Sequence, residues 1–234
     1  PSNTGTFWRS WMTATAREAA QARAKNIHQE KQRADKAFAE KAHREKDDVP
    51  ISAARLMQEI KNNLKPGTRI VDDCWSCSAV LRRTLGFSEA KSYQRSRGGG
   101  SFGWGLPGAL GVKLASPDRP VVCVSGDGSA MWSIQSLWTA AHYGIPVTHI
   151  ICANACYQQV RNMKVLLMAE KAKGRYLGTS LGQPQNDFCK IAEGMGVQAR
   201  RVERPEQLGP ALQQAFSLDK PNLMEVYIDS APRM

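Results

Sequence analysis

The chain has 234 residues, 42% of them hydrophobic, and carries a formal net charge of +11 at pH 7. This length allows one well-packed core with an appendage. The basic residues are spread along the sequence, without zinc-finger spacing, an RNA-binding signature or an aromatic platform, so we predict no nucleic-acid partner. No apolar run reaches the roughly 20 residues that cross a bilayer, and no signal-peptide core is present. We therefore predict a cytoplasmic protein with no membrane partner.

The first segment of the chain is typical of a long helix. Residues 7–46 contain no proline or glycine and many strong helix formers, and Trp8, Trp11 and Met12 give an apolar patch only at the start. Further on the side chains are polar nearly all round, and no heptad seam is sustained, which favours a linker helix over a coiled coil. A break at residues 47–50 predicts two parts, a helical inter-domain linker over 1–48 and one domain over 49–234.

From residue 49 onward, strand patterns alternate with helix patterns. Ser52 is predicted to cap the first helix of this region. The predicted helices cover residues 53–60, 78–85, 109–115, 158–172, 187–193 and 205–216, and the predicted strands cover 69–73, 121–124, 147–152, 197–202 and 222–228. A mobile loop is predicted over 173–184. This alternation predicts an α/β fold, a doubly wound and mostly parallel sheet flanked by helices.

Two further stretches carry less regular patterns. Residues 96–108 are rich in glycine but also contain Phe102 and Trp104, a mixture that favours a ligand-facing loop over a flexible linker. Cys74 and Cys77 have the C-x-x-C spacing, but the sequence offers no second ligand pair, so we do not expect a zinc site. A redox role and a turn of small residues both remain open, and we favour the turn.

The most informative stretch runs from Gly126 to Tyr157. The apolar run 121–124 leads to Asp127, a Trp-rich helical span follows, and a second apolar run, 147–152, leads to Asn154. Two strands around a helix form a βαβ unit, whose strands both end at the sheet edge where open α/β sheets bind ligands. Asp127 and Asn154 should therefore lie side by side. Their oxygens suit Mg²⁺, and the helix that opens at Ser129 could receive phosphate oxygens.

These residues carry a resemblance to a known family. Residues 126–129, Gly-Asp-Gly-Ser, followed by Asn154, resemble the diphosphate-binding motif of thiamine diphosphate (ThDP) enzymes. Within that family the sequence is most similar to benzoylformate decarboxylases and acetolactate synthase large subunits. The similarity covers residues 99–107, 133–141 and 187–197, and together it spans most of residues 50–230.

The resemblance implies a cofactor site. Asp127, the Asn154 side chain and the Cys156 carbonyl would hold Mg²⁺, and the amides near Ser129, Ala130 and Tyr157 would hold the diphosphate. The Gly100 carbonyl would accept a hydrogen bond from the aminopyrimidine, and Phe102 would bend the cofactor. The implied cofactor-binding residues are Trp75, Ser76, Gly100, Phe102, Asp127, Gly128, Ser129, Ala130, Asn154, Cys156 and Tyr157.

Two residues depart from the family pattern, and one element of the family is missing. The usual Asn-Asn-Gly is Ala153-Asn154-Ala155 here, and Phe102 replaces a smaller aliphatic residue. The activating Glu of the family lies on a separate pyrimidine-binding domain, so we assign no catalytic residue to this chain. The chain is expected to be the C-terminal, cofactor-binding part of a larger enzyme or one subunit of a split enzyme.

The resemblance also implies an activity and partners. We expect a ThDP- and Mg²⁺-dependent decarboxylase or acetolactate synthase-like carboligase that acts on a small 2-oxo acid. Its partner would be the pyrimidine-binding domain of a neighbouring subunit, in a homodimer or homotetramer. The alternative is a degenerate, non-catalytic ThDP-fold module that serves assembly or regulation, suggested by Ala153 and Ala155.

Overall fold

The computed structural model describes residues 13–96, 101–168, 171, 174 and 176–230. Its contacts divide the chain into two compact units, 1–44 and 45–234, close to the predicted boundary. The elements, in chain order, are α1 (Ala14–Arg44), α2 (Ala53–Asn63), β1 (Arg69–Asp73), α3 (Ser78–Leu85), β2 (Tyr93–Arg95), α4 (Gly105–Ala115), β3 (Val121–Gly126), α5 (Asp127–Ala130), α6 (Ser136–His142), β4 (Thr148–Ala153), α7 (Gln158–Met168), α8 (Phe188–Gly194), β5 (Gln198–Val202), α9 (Pro205–Ser217) and β6 (Asn222–Tyr227).

The first unit is described as a single long helix. Helix α1 has 31 residues and none of its side chains is buried, as its polar sequence predicts. The apolar residues predicted to open it, Trp8, Trp11 and Met12, lie outside the described residues. No helix in the described part of the chain is both long and apolar enough to cross a membrane.

The second unit is built on a parallel sheet. The described residues form six strands in the order β2-β1-β3-β4-β6-β5, and every neighbouring pair is parallel. The doubly wound α/β prediction is therefore confirmed, and the sheet is parallel throughout rather than mostly so. Strand β2 was missed, because its three residues are too short and too polar to show an alternating pattern.

Helices cover both faces of the sheet, as a parallel sheet with apolar strands requires. On one face, β3 residues Val122 and Val124 pack with Leu56 of α2 and Leu208 of α9. On the other face, Cys123 packs with residues of α4, α6 and α8, such as Leu106, Leu137 and Phe188. Alternate residues of one strand thus enter opposite cores, which fixes the strand register.

Two helix predictions need correction near the sheet edge. The helix predicted from residue 109 begins at Gly105, because Pro107 lies in the first turn, where a missing N–H costs nothing. The single helical span predicted after Ser129 is two helices, α5 and α6. In the break between them, the Ser133 hydroxyl donates to the Gly103 carbonyl, which ties this turn to the glycine-rich loop.

The predicted cap of α2 is confirmed, since the Ser52 side chain accepts a hydrogen bond from the Arg55 amide.

His149 lies at the centre of the sheet without a polar partner. It is fully buried in β4, between Cys123 of β3 and Leu223 of β6, and neither ring nitrogen has a hydrogen-bond partner among the described residues. Burial lowers the pKa of His149 from 6.5 to about 4. The folded protein therefore keeps the ring neutral at a pH where the unfolded chain already takes up a proton.

This difference makes stability depend on pH in a way that a His149→Leu variant should remove. As pH falls from 6.5 to about 4, the free energy of unfolding of wild type should fall by up to roughly 3 kcal/mol relative to that of the variant. Buried carboxyls contribute slopes of the opposite sign, but they are common to both proteins and cancel in the comparison. Urea unfolding at pH 7, 5 and 4 measures the difference. A parallel pH dependence in wild type and H149L would contradict the account.

Candidate functional site

The carboxylate of Asp127 connects the ends of two adjacent strands. It begins α5, directly after β3, and its Oδ2 accepts hydrogen bonds from the backbone amides of Asn154 and Ala155, at 3.0 and 2.7 Å. Its Oδ1 accepts from the Gly128 amide at 2.7 Å. Because Gly126 is in register with Cys152, both strands end at the same level, and the residues after them meet. The predicted proximity of Asp127 and Asn154 is confirmed.

The electrostatics of Asp127 favour a bound cation. Burial raises the pKa of its carboxyl from 3.8 to about 6, although the amide hydrogen bonds from Gly128, Ala155 and Asn154 act in the opposite direction. In the described part of the chain, no lysine or arginine forms an ion pair with it. A buried carboxylate without a positive partner is costly, and a divalent cation would offset that cost.

Asn154 and Cys156 form a turn beside this carboxylate. The Asn154 Oδ1 accepts from the Cys156 amide at 3.1 Å, which holds the side-chain oxygen at the strand end. The Cys156 carbonyl accepts from the Gln158 amide at 2.9 Å, where α7 begins. The Cys156 thiol also lies 3.6 Å from the Asn154 Oδ1, but it is closer to the Gln158 Oε1, at 3.2 Å. When the thiol donates to Gln158, the Asn154 Oδ1 and the Cys156 carbonyl each keep a second lone pair. Together with Asp127, they offer the hard oxygen ligands that Mg²⁺ prefers, and therefore the residues fit this ion.

Ala155, between them, has a left-handed backbone. Its φ is +54°, a conformation that costs an L-residue roughly 1–2 kcal/mol. The turn is fixed on both sides, since the Ala155 amide donates to Asp127 and its carbonyl accepts from the Leu181 amide at 2.7 Å. Glycine would adopt this conformation without steric cost.

The Tyr157 ring lies against Gly128. A Cβ atom built on Gly128 would lie 2.6 Å from Cε1 of this ring, so a side chain there would displace Tyr157. The Tyr157 amide donates to the Thr179 carbonyl at 2.9 Å, and Cys156 pairs with Ser180. The described end of the predicted loop over 173–184 is thus hydrogen-bonded to the site. The amide that the resemblance assigns to the diphosphate is bonded within the protein here.

Aromatic rings line the mouth of the site. Trp75 and Phe102 meet edge to face with ring centroids 5.7 Å apart, and the Arg95 guanidinium lies 4.6 Å from the centroid of Trp75. Such contacts hold the rings and the cation in place at a partly exposed surface. Gly100, whose carbonyl the resemblance assigns to the aminopyrimidine, lies outside the described residues.

Asp73 holds the glycine-rich loop, a role that the sequence analysis did not predict. Its Oδ2 accepts from the amides of Gly103 and Gly105, at 3.0 and 3.1 Å. A Cβ atom on Gly105 would lie 2.5 Å from the Asp73 Cβ, so this close approach requires glycine. Burial raises the pKa of Asp73 from 3.8 to about 6. The sequence signal that could have indicated this role is the acidic end of β1, which lies at the same sheet edge as Asp127.

Most of the predicted site residues share one cleft at this edge. It is lined by Trp75, Ser76, Phe102, Asp127, Gly128, Ser129, Asn154, Cys156 and Tyr157, together with Gly126, Gln158, Gln159 and Val160. Ala130 is fully buried in α5, so only its backbone could serve a ligand. Larger cavities exist away from this edge. One of about 340 Å³ lies beside Lys65, Lys113 and Arg119 and contains none of the predicted residues.

The comparisons with known proteins agree with this geometry. Residues 75–226 match the family model described as the thiamine pyrophosphate enzyme, C-terminal TPP binding domain, where TPP is another name for ThDP. The chain therefore belongs to this family, as a C-terminal ThDP-binding domain of the acetolactate synthase and decarboxylase type.

Several individual proteins are similar to this chain. A probable acetolactate synthase large subunit of Methanococcus aeolicus is 33% identical over 188 residues, covering 78% of the chain and 31% of the relative. Benzoylformate decarboxylase of Pseudomonas aeruginosa is 42% identical over 127 residues, covering 54% and 23%. The structure of a thiamine diphosphate-dependent 4-hydroxybenzoylformate decarboxylase of Rhodococcus jostii aligns with a TM-score of 0.71 and 34% identity, covering 78% and 33%. The chain spans about a third or less of the length of these relatives.

The strained turn gives a direct test of the site geometry. Ala155→Gly should raise the free energy of unfolding by roughly 0.5–1 kcal/mol, because glycine relieves the left-handed φ at a smaller cost in unfolded-state entropy. Denaturant unfolding measures the change. The matched control is Ala153→Gly, in the extended end of β4, which should lower stability instead. A destabilising effect of A155G would show that the turn is not strained.

Proposed function

We propose that this domain binds ThDP through Mg²⁺ and forms the diphosphate-binding half of an active site that acts on a 2-oxo acid. The observation that carries the proposal is the buried Asp127 carboxylate, held at a sheet edge next to Asn154. Among the described residues, no lysine or arginine forms an ion pair with it. The family membership of residues 75–226 supplies the identity of the cofactor.

In this proposal, three oxygens of the chain hold the metal ion. They belong to the Asp127 carboxylate, the Asn154 side-chain amide and the Cys156 main-chain carbonyl. Diphosphate oxygens and water would complete the coordination shell of the metal, in the mixture of ligands that Mg²⁺ prefers. The main-chain amides of Ser129 and Ala130, in the four-residue helix α5, would donate to the diphosphate. Tyr157 would join them if its amide exchanged the Thr179 carbonyl for a phosphate oxygen.

The remaining residues of the cleft would position the cofactor and shield it from water. When bound, ThDP supplies a nucleophilic carbanion and an electron sink for chemistry at a carbonyl carbon. Phe102, which packs on Trp75, would support the bend of the cofactor. Asp73 would fix the loop that carries Phe102, through its hydrogen bonds to Gly103 and Gly105.

The central test is removal of the charge at position 127. Asp127→Asn keeps the size of the side chain and one oxygen acceptor, but it removes the negative charge that would face Mg²⁺. Calorimetry with ThDP and Mg²⁺, well above pH 6 so that the carboxyl is ionised, should show affinity weakened by roughly 100-fold or more.

The control for this test is Asp118→Asn, an exposed carboxylate in the turn before β3. It should bind ThDP like wild type. Circular dichroism should show that D127N keeps its fold. Wild-type affinity in D127N, or no binding of ThDP to wild type, would refute the metal-binding role of Asp127.

For the substrate, we propose that Arg95 attracts its carboxylate. The guanidinium is half-buried at the mouth of the cleft and is held over Trp75. If the whole protein turns over a 2-oxo acid, Arg95→Gln should raise KM roughly tenfold and leave kcat nearly unchanged, which corresponds to the loss of about 1.4 kcal/mol of binding. Arg83→Gln, on the exposed side of α3, makes the same charge change and should leave KM unaltered. A loss of kcat alone in R95Q would contradict this role.

We further propose that a pyrimidine-binding domain of a neighbouring subunit covers this edge, in a homodimer or homotetramer. Trp132, Trp138 and Tyr143 are 67%, 54% and 70% exposed, in and next to α6. The His142 ring stacks on Trp138 and meets Tyr143 edge to face, so these rings form one surface. Exposed aromatic residues are enriched at protein interfaces. Trp132 also lies against Gly103, so this surface continues into the glycine-rich loop.

The second candidate is a non-catalytic ThDP-fold module, favoured by the strained Ala155 at a position where the family usually has glycine. The two candidates differ in turnover. If the domain is catalytic, the whole protein should decarboxylate 2-oxo acids, or join them to a second carbonyl compound, in the presence of ThDP and Mg²⁺. Tight cofactor binding without turnover of any 2-oxo acid would favour the module.

A further inference from the structure

Three cysteine side chains meet behind the cofactor cleft. Cys74 and Cys77, of the C-x-x-C sequence, are joined by Cys152 at the end of β4, and the three sulfur atoms lie within 4.8 Å of one another. The sequence pattern alone offered two thiols and no third ligand. Strand order supplies the third, because β4 and the chain after β1 lie on either side of β3. All six cysteines of the chain are reduced.

The cluster is sealed from solvent within an apolar core. Cys74, Cys77 and Cys152 are 0%, 2% and 1% exposed and belong to the core that contains Val124. Hydrogen bonds to Cys152 and Cys77, followed by burial, raise the pKa of the Cys74 thiol well above 9. An added net negative charge would therefore be costly here.

We propose that Cys74, Cys77 and Cys152 form a binding site for trivalent arsenic, taken up as arsenous acid. Thiolates are soft ligands that select soft centres, which distinguishes this site from the oxygen ligands proposed for Mg²⁺. A monovalent or divalent ion held by three thiolates would leave a net charge of minus two or minus one. Trivalent arsenic leaves no net charge, and it therefore suits three thiolates that are buried in an apolar core.

The chemistry balances without an oxidant or reductant. Each thiol transfers its proton to one hydroxyl of arsenous acid, three water molecules leave, and three As–S bonds form. Bonds of about 2.3 Å, the length found in thiolate–metal sites, bring the three sulfurs closer together than 4.8 Å. Sulfur atoms that already lie within 4.8 Å of one another need only small rotations to reach this arrangement.

Access to the site requires only local opening of one turn. The Cys77 amide donates to the Cys74 carbonyl, and Ser76 between them lines the cofactor cleft, so this turn separates the thiols from solvent. Turns of this kind open without global unfolding. Uptake should therefore occur in the folded protein without ThDP in the cleft.

Cys123 provides a matched control. It is as fully buried as Cys74 and lies in β3, the strand between the two parts of the cluster, but its side chain enters the opposite core. The proposal therefore predicts that Cys74 binds arsenic and Cys123 does not, although the two residues are equally buried. Cys→Ala is a small change at either position, so folding can be checked in both variants by thermal unfolding.

The test is titration of the protein with arsenite, after reduction by a phosphine that does not compete for arsenic. Native mass spectrometry should show one added arsenic with the loss of three hydrogens, accompanied by sulfur-to-arsenic absorbance. Cys74→Ala, Cys77→Ala and Cys152→Ala should each weaken binding by more than roughly 100-fold, since loss of even an outer-shell partner costs 10- to 100-fold. Cys123→Ala should bind like wild type.

Four outcomes would overturn the proposal. They are the absence of an adduct on folded wild type, an adduct that loses only two hydrogens, an equal loss of affinity in C123A, and tighter binding of Cd²⁺ than of arsenite. The first two need no variant, so a variant that fails to fold does not prevent the test. Proteolysis of the adduct should recover arsenic bridging the peptide of Cys74 and Cys77 to that of Cys152.

Discussion

The structure of the site depends on one buried carboxylate that is hydrogen-bonded across two strands. Asp127 follows β3, and its Oδ2 accepts the first two amides after β4, so a single side chain sets the distance between the strand ends. These contacts also fix the left-handed Ala155, and the Cys156 amide holds the Asn154 Oδ1 at the same strand end. The carboxylate has no positive partner among the described residues, and a bound divalent ion would satisfy the charge that folding buries there.

A second carboxylate organises the other wall of the cleft. Asp73, at the end of β1, accepts the amides of Gly103 and Gly105 and so holds the loop that carries Phe102. Burial raises the pKa of both Asp73 and Asp127 to about 6. Two neighbouring strand ends thus use buried acids to fix backbone segments, and the cleft lies between these segments. The parallel sheet makes this possible because its strands end at one edge.

The sequence predicted those features that local patterns and strand order determine. The apolar runs before Asp127 and Asn154 were enough to place both residues at one edge, because a βαβ unit brings its strand ends together. Long-range contacts were not predictable in this way. Asp73 contacts glycines 30 and 32 positions further on, and Cys152 completes a cluster with two cysteines from before β3. No periodicity connects such residues, so only the folded chain reveals them.

The most direct measurement of the central claim is a crystal structure of the protein grown with ThDP and Mn²⁺ in place of Mg²⁺. The account predicts one anomalous peak bonded to oxygens of Asp127, Asn154 and Cys156, with the diphosphate on its far side next to α5. A metal peak elsewhere, or a diphosphate bound without contact to Asp127, would contradict it.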